Sequence, residues 1–168
     1  MQKRLTTREI VTFALLGALM YCGFLLMQWI PNVHPVAMLV MVYTVIYRKK
    51  ALYPIYVYVF LCLIISGFAL SMLPYLYIWT ILWGIVMLLP RNLPAKFAVP
   101  MYMIVCALFG LAFGTLYAPM QALMFHYTWK GMLAWIAAGF SFDVIHAIGN
   151  FAAGSLVIPI SNLLQRYS

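Results

Sequence analysis

Long apolar stretches follow one another along almost the whole chain, and short breaks that contain Lys, Arg, Pro or Asn separate them. Of the 168 residues, 67% are apolar and only 7% are charged, whereas charged residues make up about a quarter of a soluble domain. A soluble fold of this size would expose too much apolar surface to water, but lipid accommodates such a surface. We therefore expect one all-α integral membrane domain over residues 1–168, located in the cell membrane as a multi-pass protein.

Six of the apolar stretches are candidates for membrane-spanning helices, because a helix needs about 20 apolar residues to cross the hydrocarbon core. The second stretch is short enough to be tilted or partly interfacial. The boundary between the third and the fourth is the weakest, so five helices with one long re-entrant element form an alternative. The six stretches cover residues 10–30, 33–47, 51–68, 71–89, 97–117 and 132–156.

The positions of Lys and Arg favour six helices, because short cytoplasmic loops collect these residues. With six spans, nine of the ten cations fall on one side of the membrane, and only Lys130 lies opposite. Both termini are then cytoplasmic, and anionic lipid, not nucleic acid, is the expected partner of the basic clusters. The nine cations are Lys3, Arg4, Arg8, Arg48, Lys49, Lys50, Arg91, Lys96 and Arg166.

The N-terminal residues are typical of a helix start and not of a cleavable signal. The first apolar stretch is too long for a signal peptide and lacks a small-x-small cleavage site. Thr6 or Thr7 followed by Glu9 offers a capping box, in which side chain and backbone groups satisfy each other at the first helical turn.

Polar residues inside the membrane are expensive, so the few present are functional candidates. Asp143, His146 and Asn150 are spaced i, i+3 and i+7 and lie along one helical face. They bind a ligand or couple to another subunit; alternatively, Asp143 pairs with His146 while Asn150 binds a neighbouring backbone. A metal site of His126 with Asp143 and His146 has no recognised ligand spacing, and no cofactor is expected.

Enzymatic activity is not indicated by any motif in this sequence. There is no P-loop, no HExxH motif and no pair of catalytic carboxylates.

Aromatic residues crowd the start and middle of the fourth apolar stretch, deeper than an interfacial belt requires. If they face Asp143, His146 and Asn150, they line an apolar pocket with a few polar groups; otherwise they form bundle core and belt. The outer loops predicted by the topology are residues 31–35, 67–74 and 118–131. The aromatic residues are Tyr75, Tyr77, Trp79 and Trp83.

Small residues with helical spacing occur in two stretches and allow close helix contacts. Gly110 and Gly114 form one such pair, for which packing within the chain is the simpler interpretation. In the first helix, Ala14, Gly17 and Ala18 form a wide patch that suits a partner helix as well as one of the chain's own.

Residues 142–150 read FDVIHAIGN and are similar to the "FDxxHaxxN" stretch in the last helix of many substrate-binding S components of energy-coupling factor (ECF) transporters. The six-helix layout, the Ala14-x-x-x-Ala18 patch and the Trp129-Lys130-Gly131 tripeptide add to this resemblance. The chain therefore resembles an S component over nearly its whole length in layout, and over helices one and six in motif.

The resemblance implies a subunit of an ABC transporter that binds a vitamin or related micronutrient at the outer face. Small residues of helix one, here Ala14, Gly17 and Ala18, would dock on a transmembrane coupling subunit that carries two cytoplasmic ATPases, and the S component would then topple to release the vitamin inside. The family's ligand sites imply substrate contacts from Asn32, His34, Tyr75, Tyr77, Trp79, Gln121, His126, Tyr127, Trp129, Lys130, Asp143, His146 and Asn150.

The ligand is a separate question. The Trp129-Lys130-Gly131 tripeptide stands where thiamin-specific members have a similar one, but the thiamin pattern that follows it is not reproduced. Twelve Met and twelve Tyr favour a large, mostly neutral ligand. Cobalamin or another corrinoid is our first expectation, followed by a nucleoside-like compound or pyridoxine.

Two other functions remain alternatives. A self-sufficient proton-coupled transporter would use Asp143 and His146 as a proton relay, but such transporters usually have internal repeats, and no clear repeat relates the two halves of this sequence. A purely structural assembly subunit would bind no ligand.

Overall fold

A computed structural model describes residues 5–30, 33–65, 67–91 and 93–166, and these residues form helices without a strand among them. Two short 3-10 turns, Arg48–Ala51 and Leu70–Met72, precede the third and fourth helices. The α-helices are α1 (Thr7–Leu26), α2 (Val36–Tyr47), α3 (Leu52–Ile65), α4 (Tyr75–Leu88), α5 (Ala95–Met124), α6 (Trp129–Gly154) and α7 (Val157–Gln165).

Helix α1 begins with the predicted capping box. The backbone N–H of Glu9 donates to Thr6 Oγ1 at 3.2 Å, and the Thr6 N–H donates to Glu9 Oε2 at 3.0 Å. Glu9 also forms an ion pair with Lys50. The prediction of a helix start at this point is confirmed, and the ion pair links the start of α1 to the basic turn after α2.

The prediction of an all-helical chain is confirmed for the described residues, and four helical stretches among them, where six were predicted, are long and apolar enough to cross a membrane. These stretches are Thr7–Leu26, Leu70–Leu88, Ala95–Met124 and Trp129–Gly154. Helices α2 and α3 have 12 and 14 residues and rise only about 18 and 21 Å. They are shorter than the hydrocarbon core of about 30 Å.

The short helix α2 lies inside the bundle. Residues 36–44 are all buried, on every side of the helix, and α2 packs mainly against α4 and α7. A helix that is apolar all round is expected to lie in an interior. The second apolar stretch therefore forms the centre of the bundle.

Helices α5 and α6 form a long antiparallel hairpin and the most extensive helix pair. The predicted outer loop over residues 118–131 is wrong, because α5 continues to Met124 and α6 begins at Trp129. The helix continues through Pro119, since membrane helices tolerate proline where neighbouring groups satisfy the freed backbone. The Tyr77 hydroxyl donates to the Leu116 carbonyl in this part of α5, at 2.6 Å.

Three of the described basic residues, Arg48, Lys50 and Lys96, lie at one end of the bundle. Arg48 Nη2 donates to the Met87 carbonyl at 2.9 Å, and Trp83 Nε1 donates to the Arg48 carbonyl at 3.0 Å, so the basic turn lies against the end of α4. Helix α5 begins at this end with Lys96 in its first turn and rises about 45 Å to the opposite end, where Lys130 lies in the first turn of α6. Among the described cations, Arg48, Lys50 and Lys96 thus lie at the end opposite Lys130.

The last predicted stretch contains a break. Helix α6 ends at Gly154, and the separate helix α7 follows after two residues and packs against α2. Gly154 lies so close to α5 that a Cβ atom there would be 2.7 Å from the Met103 Cα atom. The sequence analysis did not predict α7.

Candidate functional site

A cavity of about 170 Å³ lies between the α1–α2 connection and helices α4, α5 and α6. It is close to the bundle end that lacks the basic clusters, because the α1–α2 connection and the start of α4 are both at that end. Its lining consists of Phe24, Met27, Gln28, Ile30, Val33, His34, Tyr75, Phe113 and His146.

Two histidines from distant parts of the sequence meet in this cavity. The rings of His34 and His146 have centroids 4.9 Å apart, and the Phe113 ring lies 4.9 Å from His146 on another side. Trp79 is next to them, with its ring 6.3 Å from His34 and 5.6 Å from Tyr75. Aromatic rings at such separations pack by edge-to-face contacts and form a rigid wall.

Several buried polar atoms in and beside this wall have no hydrogen-bond partner among the residues that the structure describes. They are His34 Nδ1, Trp79 Nε1, His146 Nε2 and both amide atoms of Asn150. Trp79, His146 and Asn150 are at most 2% exposed. Burying such a group without a hydrogen bond costs free energy, and hydrogen bonds to a polar molecule at the cavity would offset part of that cost.

The cavity is polar but carries no net charge. Its described lining has no Asp, Glu, Lys or Arg. His34 lies in the connection between α1 and α2, outside both helices, and burial lowers its pKa to about 4, so the imidazole is neutral at pH 7. A neutral imidazole offers one donor and one acceptor. The site therefore suits a neutral ligand that has both donors and acceptors.

Asp143 is buried next to this site, but it faces α5. Its Oδ1 atom accepts a hydrogen bond from the Gly114 backbone N–H at 3.0 Å. A Cβ atom at position 114 would be only 2.3 Å from Asp143 Oδ2, so glycine is what admits the carboxyl group. The structure shows no hydrogen bond between Asp143 and His146, and Asp143 is not among the described residues that line the cavity.

Gly110 and Gly114 both pack against α6 of the same chain, which agrees with the interpretation of this pair as a packing motif within the chain. A Cβ atom at position 110 would be 2.8 Å from Asn150 Nδ2 and 3.0 Å from the Ala147 Cα atom. These glycines bring α5 and α6 together, and they hold Asn150 and Asp143 against the α5 backbone.

Other predicted site residues are distributed over the molecule. His34, Tyr75 and His146 line the cavity, Trp79 packs against His34 and Tyr75, and Asn150 is buried on α6 against α5. The Tyr77 side chain instead ties α4 to α5. Asn32 lies outside the described residues.

Five predicted contacts lie in the last turn of α5 or at the tip of the α5–α6 hairpin. The tip begins at Met124, eleven residues beyond Phe113, or about 16 Å along the helix. No residue of the tip is in the described lining of the cavity. These five are Gln121, His126, Tyr127, Trp129 and Lys130.

The predicted docking patch on α1 is divided between two surfaces. Gly17 is buried against α3, where a Cβ atom would be 2.6 Å from the Val57 Cβ atom. Ala14 is exposed and Ala18 is half-buried. Gly17 therefore serves the contact between α1 and α3, while Ala14 and Ala18 remain on the outside.

Phe24 and Phe113 complete the cavity wall, and sequence reasoning did not identify them. A signal for Phe113 was available, since it precedes Gly114 and so lies beside the α5 face that contacts α6. Phe24 is one apolar residue among many in α1, and only its contacts with His34 and Tyr58 distinguish it.

No protein-family model, no curated protein and no solved structure matches this chain, so the functional interpretation rests on its own residues.

Proposed function

We propose that this chain is the substrate-binding S component of an ECF-type transporter. It captures a vitamin-like small molecule at the outer face of the cell membrane and delivers it by docking on a transmembrane coupling subunit with two ATPases. The observation that carries the proposal is the cavity, whose lining includes the unpartnered His34 Nδ1 and His146 Nε2 atoms. Polar groups that are buried in a membrane protein without a hydrogen-bond partner cost free energy, and hydrogen bonds to a bound ligand offset that cost.

The membrane orientation that we propose has six crossing segments and both termini in the cytoplasm. It is supported by the collection of Arg48 and Lys50 at the bundle end where α1 begins and α4 finishes, since cytoplasmic ends collect cations. The cavity is then near the outer face, where a substrate from outside the cell arrives.

The size of the cavity bears on the ligand. Pockets for drug-sized ligands usually have about 300–1,000 Å³, so about 170 Å³ accommodates a single small ring system. Among the three expected ligand classes, this volume favours a pyridoxine-like compound over a nucleoside or a corrinoid. We therefore propose a neutral, single-ring heterocycle with hydrogen-bonding substituents as the substrate.

Mass spectrometry of the small molecules released from the purified chain tests this proposal. We expect one compound of single-ring size, in near-equal molar ratio to the protein, since tight binding survives purification. The His126→Asn variant is the matched control, because His126 lies at the hairpin tip and its replacement should leave the retained amount unchanged. Uptake of that compound by liposomes that contain only this chain, without ATP, would contradict the proposal and favour a secondary transporter.

The Ala14→Trp variant tests the docking step. In cells that contain the coupling subunit and ATPases, we expect uptake to be lost while the purified variant retains its small molecule, because an exposed indole on α1 prevents close helix contact. The Ala138→Trp variant, at an exposed position of α6, is the control and should transport normally. Loss of the retained molecule in Ala14→Trp would refute the assignment of this face.

A further inference from the structure

A second, larger cavity opens on the outside of the bundle between α3 and α4. It has a volume of about 820 Å³. One wall is the face of α3 that carries Tyr53, Tyr56 and Phe60, and the other carries Leu76 and Trp83 of α4. Tyr53, Tyr56, Phe60 and Leu76 are each more than 40% exposed. The cavity is therefore an open apolar groove, separate from the histidine-lined site.

Among the described lining residues, cations lie only at one end of this groove. Lys49 and Lys50 belong to the lining, and both lie in the basic turn before α3. From Lys50 the groove follows α3 to Leu63, thirteen residues or about 20 Å along the helix axis. This length covers almost the whole of α3 and is sufficient for one acyl chain, which spans half of a hydrocarbon core of about 30 Å.

Lys49 has no acidic side chain to neutralise it. The chain contains two acids; Glu9 is paired with Lys50, and Asp143 binds the Gly114 N–H inside the α5–α6 hairpin. Lys49 is exposed at the mouth of an apolar groove, so an anion from outside the chain is its natural partner.

We propose that this groove binds an anionic phospholipid, with the headgroup phosphate at Lys49 and an acyl chain along Tyr53, Tyr56 and Phe60. Charge and shape together select this occupant, because a phospholipid joins one anionic headgroup to apolar chains. The inference does not depend on the identity of the transported substrate.

Lipid retention by variants tests the headgroup contact. The purified chain is incorporated into nanodiscs with equal amounts of phosphatidylglycerol and phosphatidylcholine, released, and analysed by native mass spectrometry. We expect phosphatidylglycerol to remain bound preferentially, and Lys49→Gln to lower that preference about fivefold, as for one cation near an anionic surface. Lys96→Gln is the matched control, because Lys96 lies at the same bundle end but outside the groove.

Photocrosslinking tests the position of the acyl chain. Phosphatidylglycerol with a photoreactive acyl chain should label Tyr56 or Phe60 in preference to Phe140, which is equally exposed on α6. Equal retention of the two lipids, an equal effect of Lys96→Gln, or labelling spread evenly over α6 would each overturn the proposal. If the lipid labels a co-purified protein and leaves Tyr56 and Phe60 unlabelled, the groove is covered by a partner subunit instead.

Discussion

The Gly114→Ala variant is expected to be less stable than the parent chain by about 1–3 kcal/mol, the usual cost of overfilling a packed interior. The new methyl group would be 2.3 Å from Asp143 Oδ2, so either the carboxyl group or the whole of α6 must move. Movement of Asp143 also breaks its hydrogen bond to the Gly114 N–H, which leaves a buried polar group unsatisfied. Thermal unfolding of the purified chain in detergent measures the loss.

Gly139→Ala is the matched control for this prediction. Gly139 lies on α6 with no atom within 4 Å of the added Cβ, so alanine there should stabilise the helix by up to about 1 kcal/mol through its higher helix propensity. Equal changes in the two variants would show that the contact between Gly114 and Asp143 is not tight.

The Asp143→Ala substitution provides a second check. It should destabilise the parent chain, but it should cost less, or even stabilise, in the Gly114→Ala background, because the steric conflict disappears. Such non-additivity is the expected signature of two residues in contact.

The His146→Phe variant is expected to lose the retained small molecule without losing stability. Phenylalanine keeps the ring between His34 and Phe113 but removes both nitrogens. If His146 Nε2 binds the ligand, affinity should fall on the order of tenfold to a hundredfold, the cost of an unmade buried hydrogen bond. Stability without ligand should stay equal or rise, because an unpartnered buried nitrogen no longer has to be desolvated.

Two measurements decide the outcome for His146. The molar ratio of retained compound to protein is determined by mass spectrometry, and the unfolding temperature is measured after the compound has been removed. A purely structural histidine would behave in the opposite way, with a lower unfolding temperature and an unchanged ratio.

The residues of α6 illustrate how far the sequence predicts the site. Their spacing places Asp143, His146 and Asn150 on one helical face, and all three are indeed buried. The spacing is equally compatible with a bond between Asp143 and His146 or with separate partners. Only the position of α5 decides this, because Gly114 lets the carboxyl group reach the backbone.

The ends of α5 and α6 at the hairpin tip were not predictable from the sequence. Residues 118–131 contain Pro119 and several polar groups, and the sequence analysis interpreted them as a binding loop. In the structure most of them continue α5 and α6, which separates Lys130 and Trp129 from the cavity. Helix ends in an apolar chain are weakly marked, since proline is tolerated where neighbouring helices satisfy the backbone.

Local sequence features predict the helical class, the apolar stretches that are long enough to cross a membrane and the capping box at Thr6. These properties depend on local composition and on the 3.6-residue period within one helix. Only the tertiary structure decided that His34 meets His146, that Gly17 faces α3, and that α2 lies in the centre. The period orients residues on their own helix, but the rotation and depth of one helix against another follow from how all the side chains pack.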